Sequence, residues 1–486
     1  MACKRETSLP DPGRRRFVCG SGAATLSAGL AAVLGHTVAK AGDRNTTSRF
    51  SGCDVDVVVI GGGFAGVAAA RDCRENGYSA LVLEARNRLG GRTFTSEFEG
   101  QSIELGGTWI HWSQPFVWAE KERYGLDVIE TPGAVPDKML LRMDGKVVEL
   151  GEADVAAVMD AFRTYTAASR AILPQPYDMH HHWDGVLAAD KVSAKAQLQS
   201  LDLTALQRNA LDALFASIAH NRPDAISYAD TLRVPALAGH NDLLLWMDTV
   251  GRFKLKQGTA ALIRKMVEDG QPEVRLSTPV KRIEDLGDRV RVTTHRGEKI
   301  VAAAAVVALP MNVLGDLEFT PALDAGLLEA AKERHTGVGF KIYIRAKGRL
   351  GNLFMMADST HRLNSVLTYH EAEDHTIFGG FGADRATLDS NDEAAVQEAL
   401  REFLPDVVVE SVIGYDWVLD PYSRGTWAAY RPGWLAKYHA LFGRDRGRMF
   451  FAQGDHGDGW RGFIDGAIGA GIRAAQRIAT TLGRAP

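Results

Sequence analysis

Cysteine is scarce in this sequence: four in 486 residues, Cys3, Cys19, Cys53 and Cys73. None forms a CxxC pair and none stands at metal-ligand spacing from a histidine, so dithiol redox chemistry and a Cys/His metal site are both excluded. Cys73 falls on a helical pattern and reads as an inert core residue. A charge excess of either sign is also missing, since the formal net charge is −4. That leaves no electrostatic argument for nucleic acid or an acidic surface, and it points to a small substrate. Internal repeats and long low-complexity stretches are absent. Three adjacent histidines, His180 to His182, cannot all face one ion on a regular element, and the segment reads as a solvated loop. What the chain has in quantity is glycine, 50 residues of it, within a length sufficient for two domains around a substantial core.

The first forty or so residues do not read as part of the fold. "GRRRFVCGSGAATLSAGLAAVLGHTVAKAG" has a basic start, a weakly apolar middle and a small-x-small exit at Ala39-Lys40-Ala41, the three-part plan of an export signal. Arg14, Arg15 and Arg16 followed by Phe17 resemble the twin-arginine signal. The apolar segment is short and interrupted by Gly, Ser and Thr, a poor membrane span. The expectation is a twin-arginine signal over residues 1–41 and a periplasmic or other extracytoplasmic location. Because that route moves folded proteins, it suits one that already holds a cofactor.

"VDVVVIGGGFAGVAAARDCRENGYSALVLEA" reads as strand, turn, helix, strand. Val55 to Ile60 is a continuous apolar run apart from Asp56, as a strand buried on both faces requires. Gly61, Gly63 and Gly66 follow as GxGxxG, with Ala65 between them, and Glu84 ends the next apolar strand. Context makes this short motif specific: the glycines permit a tight turn and close backbone approach, and the helix N-terminus faces a pyrophosphate. Glu84 is placed to accept hydrogen bonds from the ribose hydroxyls.

Beyond Glu84, "EARNRLGGRTFT" adds Arg86, Gly90, Gly91 and Arg92, and "IELGGTWIHW" adds Gly107, Thr108 and Trp109. These two stretches resemble the flavin monoamine oxidase family, and within it the bacterial nicotine- and pseudooxynicotine-oxidising type. The resemblance implies an α/β fold: a Rossmann-like FAD-binding domain interleaved with an α+β substrate-binding domain. On that pattern residues 54–116, 246–310 and 436–486 form the FAD domain, and 117–245 and 311–435 the substrate domain. It also implies that GGR lies over the phosphates and that Val280 gives adenine a backbone contact.

The same resemblance assigns the chemistry. Lys341, in "GVGFKIYIRAKG", matches the family lysine that holds a water against flavin N5; from pattern alone it is equally a strand-end lysine reaching solvent. Trp417 and Trp427 read from composition as ordinary core aromatics. In the family, Trp427 and Phe463 match the two walls of an aromatic cage that orients a neutral amine and excludes water. Phe463 lacks the hydroxyl that many relatives carry as tyrosine. Thr426 stands where the mitochondrial enzymes have the cysteine that binds FAD, so FAD is expected to be non-covalent. Gln453 and Asp455 depart from the usual glycine and glutamate; the shortened acid is expected near the flavin side chain or phosphates. Ile464 begins the glycine-rich helix of "HGDGWRGFIDGAIGAG" and would present its N–H to the flavin pyrimidine edge.

The implied reaction is hydride transfer from the carbon next to a substrate nitrogen to flavin N5, giving an imine that water hydrolyses to a carbonyl and an amine. FAD carries this chemistry. The electron acceptor is either oxygen or a periplasmic carrier such as a cytochrome, and a homodimer is possible. Two rivals stand: a desaturase or protoporphyrinogen-oxidase-like enzyme of the same fold, and a non-catalytic flavin-binding protein. A disulfide reductase is excluded by the missing CxxC pair.

Overall fold

The computed structural model describes residues 48–483. The export-signal reading of residues 1–41, with Cys3 and Cys19, lies outside the described residues. No described helix is long and apolar enough to cross a membrane.

The apolar run at Val55–Ile60 forms the strand its pattern predicts, buried along its whole length. It lies parallel between Ala80–Leu83 on one side and Lys299–Val307 on the other. Both flanking strands extend the sheet, with Glu273–Arg275 beside the first and Met449–Phe451 beside the second, again parallel. An antiparallel wing, Val280–Asp285 and Val290–Thr294, joins at Lys299–Val307. Glu318–Thr320 closes its edge, past the boundary at residue 310.

The helix Phe64–Glu75 returns across this sheet and packs on the last helix, Ile464–Leu482. Glycine makes that approach possible: a Cβ on Gly471 would run into the carbonyl oxygen of Ala65 and the Ala68 methyl. Part of the terminal glycine richness therefore serves helix packing rather than phosphate binding.

A second, seven-stranded sheet runs in the order Val409–Gly414, Phe340–Lys347, His375–Gly382, Ser365–Glu371, Leu353–Ala357, Lys138–Met143, Lys146–Glu149. All neighbours are antiparallel except Leu353–Ala357 with Lys138–Met143. The amphipathic "DLTALQRNALDALFASIAH" becomes the helix Ala205–Ala219, started by a Thr204/Gln207 capping box. Its inner face packs Phe215 against Tyr165, Phe162 and Trp246. Each such buried aromatic or aliphatic side chain contributes about 1.5–3 kcal/mol of transfer free energy. This helical layer holds the region between residues 205 and 251 against the cavity described next. The histidines at 180–182 lie in a short 3-10 turn, Met179–His182, rather than an irregular loop. No three described His, Cys, Asp or Glu side chains group as a metal site.

Candidate active site

The dinucleotide turn leaves the first strand through Gly61, at φ +106°, where a side chain would strike the carbonyl of Ala308. Gly63 caps the following helix in extended conformation. Glu84 is buried and accepts hydrogen bonds from the Gly62 N–H at 2.6 Å and the Arg86 N–H at 2.8 Å. Gly66 does not line the cavity; a Cβ there would overlap the Gly61 carbonyl and crowd Val59. Its role is helix–strand approach, which leaves the helix N-terminus where an anion is best received.

The two arginines beyond Glu84 are both tethered. Arg86 binds the Asp420 carboxylate at 2.5 Å and the Ser423 hydroxyl at 2.8 Å. Arg92 binds Asp455 at 2.6 Å and donates to the Thr426 carbonyl at 2.9 Å. The structure places the Asp455 carboxylate, expected near the flavin side chain or phosphates, one ion pair away from the cavity. That carboxylate is fully buried, accepts from the Met311 N–H at 2.9 Å, and is not part of the cavity wall. It stands behind Arg92 and fixes its direction. Burial works to raise the Asp455 pKa, but Arg92 and then His335 hold it below the usual carboxylate range.

One cavity of about 620 Å³ joins these elements, within the span of small-molecule and cofactor sites. It is lined by Gly61, Gly63, Ala65, Glu84, Arg86, Gly91 and Arg92 from the turn and its extension, and by Val280 from the wing. The same wall includes Gly107, Thr108, Trp109, Trp417, Ile464, Lys341, Trp427 and Phe463. Of the residues singled out around the cofactor in the sequence, Gly66, Gln453 and Asp455 do not line it.

Lys341 does not reach solvent. Its strand is buried through the first five residues, and Lys341 itself is 3 % exposed. The ammonium donates to the carbonyls of Glu104 at 2.7 Å and Gly106 at 3.2 Å, and to the Thr108 hydroxyl. Burial drives its pKa down to about 7; the Glu104 carboxylate opposes that shift and Lys254 adds to it. Glu104 in turn accepts from the Thr259 N–H and hydroxyl and from the Thr95 hydroxyl, and burial raises its pKa. The sequence reading did not find this network, because Lys341, Thr259 and the segment from Glu104 to Thr108 are distant in sequence and no local pattern joins them.

The aromatic walls present faces rather than N–H groups. Trp427 donates to the Ile218 carbonyl at 2.6 Å, Trp417 to the Leu105 carbonyl at 2.9 Å, and Trp109 to the Thr131 hydroxyl at 3.0 Å. Phe463 caps the last helix, and Ile464 occupies its first position, where the N–H has no partner within the helix. Among the wall residues that went unread in the sequence are His220, Trp246, Met247 and Phe381. Three of them are apolar, and an apolar residue on an amphipathic element carries no signal that separates cavity wall from core.

The residues fit FAD. Gly61 and Gly63 leave the turn open at the helix start, Glu84 offers a buried acceptor, and the cavity continues unbroken to the aromatic walls. Thr426 lines that cavity, and among the described residues no cysteine does.

Comparison with known proteins agrees with this geometry. Residues 64–479 match the family described as flavin containing amine oxidoreductase. Among curated relatives, pseudooxynicotine dehydrogenase of a Pseudomonas species is 40% identical over 99% of this chain and 98% of its own. Nicotine dehydrogenase of Pseudomonas putida (strain DSM 28022 / S16) is 37% identical over 96% of each chain. (S)-6-hydroxynicotine oxidase of Paenarthrobacter nicotinovorans is 30% identical over 85% of this chain and 96% of its own. Among solved structures, wild-type putrescine oxidase bound to putrescine superposes with a TM-score of 0.75 at 21% identity, covering 88% of this chain and 99% of its own. Cyclohexylamine oxidase from Brevibacterium oxydans IH-35A gives 0.74 at 19% identity, over 88% and 100%. At those identities the two structures speak for the fold alone. The chain belongs to the flavin containing amine oxidoreductase family and is an FAD-dependent enzyme that oxidises an amine.

Proposed function

We propose that the amine is a nicotine-type alkaloid or its open-chain product: one amine nitrogen on an apolar or heteroaromatic body. The observation that carries this reading is the composition of the wall. Trp427, Phe463, Trp246, Met247 and Phe381 give it aromatic and apolar faces. Among the described residues its only carboxylates are Glu84 and Asp316. Glu84 is held by two backbone N–H groups and Asp316 by Arg424 at 2.7 Å. A linear diamine finds no free carboxylate for a second ammonium, whereas a flat monoamine finds faces on which to pack. The relatives named for nicotine and pseudooxynicotine support the same choice.

FAD supplies the hydride acceptor for the carbon–hydrogen bond next to the substrate nitrogen. The chain orients that carbon between aromatic faces, excludes water, and favours the amine in its neutral form by surrounding it with low-dielectric walls. For the electron acceptor we favour a carrier such as a cytochrome over oxygen, because the two relatives of higher identity quoted above are named dehydrogenases. Anaerobic mixing with nicotine, its open-chain amino ketone and putrescine tests both points. The first two are expected to bleach the flavin absorbance and the diamine to leave it. Oxidised cytochrome c is then expected to restore the colour faster than air-saturated buffer. Bleaching by putrescine alone overturns the substrate reading, and faster recovery in air overturns the acceptor reading.

The reading extends to location. Arg14 and Arg15 open the expected twin-arginine signal over residues 1–41, with delivery of the FAD-loaded protein, as a possible homodimer, outside the cytoplasm. Replacing both arginines with lysine is expected to shift more than nine-tenths of the protein from the periplasmic to the cytoplasmic fraction, about a tenfold loss of export, with FAD content unchanged. An unchanged distribution rejects the signal.

A further inference from the structure

His220 is a polar side chain of the cavity wall to which the chemistry above gives no task. It ends the helix Ala205–Ala219 in left-handed conformation, φ +51° and ψ +41°, a position that glycine usually fills and that a histidine occupies under strain. The backbone is locked there: the His220 carbonyl accepts from the Val338 N–H at 3.0 Å and the Gly339 N–H at 2.8 Å. Locking the backbone aims the ring. It lies against Trp427, with ring centres 3.7 Å apart and planes 32° apart, and Phe381 stands 5.6 Å away on the same wall.

The ring is 1 % exposed, and neither nitrogen has a hydrogen-bond partner in the protein. A buried imidazole with two unpartnered nitrogens is destabilising, and strain of this kind concentrates where a ligand completes the site. Packing alone does not explain it, because phenylalanine would stack on Trp427 without any polar atom to desolvate. Burial, and then the charge of Lys341, hold the imidazole neutral. A neutral imidazole has one N–H to donate and one nitrogen to accept.

We propose that His220 is a specificity-determining residue: its ring N–H donates to a hydrogen-bond acceptor on the substrate body, a heteroaromatic ring nitrogen, while Trp427 and Phe463 pack that body's faces. This rests on the substrate reading above and deepens it. A cavity lined only by hydrocarbon distinguishes a pyridyl ring from a phenyl ring weakly. One positioned N–H that is otherwise unpartnered gives a pyridyl amine an advantage that its phenyl counterpart cannot match.

The test uses the FAD-loaded enzyme and two secondary amines of one shape, one bearing a 3-pyridyl ring and the other a phenyl ring. Flavin reduction is followed anaerobically, so that substrate affinity and the limiting rate separate. Wild type is expected to bind the pyridyl amine about tenfold more tightly. His220→Phe keeps the stack on Trp427 and is expected to bring that preference to about one, with the phenyl amine changed less than twofold. His220→Gly relieves the left-handed backbone, so it folds even where phenylalanine does not, and it is expected to erase the preference as well. A pyridyl preference that survives either substitution overturns the inference, as does an equal loss for both amines, which marks His220 as a support for Trp427. If wild type oxidises neither amine, the substrate reading itself fails, and that outcome is distinct because it appears before any substitution is made.

Discussion

Gly66→Ala is expected to yield protein without bound FAD and with a lowered melting temperature. Both effects have one cause. The Cβ of an alanine at 66 has no space, because the Gly61 carbonyl already occupies it and Val59 Cγ1 lies just beyond. Relief requires the helix Phe64–Glu75 to move off the strand Val55–Ile60, and that helix is also packed against Ile464–Leu482. Overpacking of this kind in a buried interface costs about 1–3 kcal/mol or more, and it displaces the helix start that receives the phosphates. Gly63→Ala provides the contrast. Gly63 has an extended backbone, and the nearest atom to its added Cβ is the Gly91 Cα at 3.8 Å, an ordinary contact. The protein is therefore expected to keep its apo melting temperature while binding FAD at least tenfold more weakly, because the methyl projects toward the open turn. FAD-to-protein absorbance ratio and thermal unfolding separate the two variants. A yellow Gly66→Ala protein with unchanged melting would refute the packing role.

That contrast also marks what the sequence makes legible. GxGxxG announces itself because strand, turn and helix are consecutive, and each glycine answers a local need. The apolar run at Val55–Ile60, the helix Ala205–Ala219 and the paired strands from Val280 to Val307 are legible for the same reason: period and turn signals are local. The pairing of Lys138–Met143 with Leu353–Ala357 is not, since parallel partners distant in the chain leave no mark in either strand. Within the site, Trp427, Phe463 and Lys341 could be named through resemblance, and all three line the cavity. Asp455 shows the limit of that route. Its carboxylate, one carbon shorter than the family's and expected near the flavin side chain or phosphates, lies behind Arg92, a position that resemblance does not specify. His220 shows the other limit, for a single histidine at a helix end differs from a surface histidine only through its left-handed backbone and its burial.

Lys341→Met is expected to slow flavin reduction and reoxidation by about a hundredfold, the lower range for losing a positioned proton-handling group, with FAD still bound. The protonated ammonium has three N–H bonds, and the structure gives them three acceptors: the carbonyls of Glu104 and Gly106 and the Thr108 hydroxyl. In that form Lys341 fastens the segment that carries Gly107, Thr108 and Trp109 along the cavity. Loss of the proton releases one of these bonds and exposes a lone pair, so one side chain alternates between fastening the segment and accepting a proton or a water hydrogen. Its pKa of about 7 places the exchange in the working range. Desolvation lowers it, so the amine is charged below neutral pH and neutral above it, including the range in which an ordinary lysine stays charged. Reoxidation, measured without substrate so that no amine titration intrudes, is expected to bend near neutral pH in wild type and to run flat through that range in Lys341→Met. Methionine keeps the length and fills the space, and the Glu104 and Gly106 carbonyls keep the Tyr343 and Thr108 hydroxyls as donors, so the variant loses the ammonium's own hydrogen bonds without stranding either carbonyl. A pH profile that bends equally in both proteins, or rates unchanged in both half-reactions, removes Lys341 from the chemistry. A colourless variant instead makes its role that of a fastener for the cofactor loop.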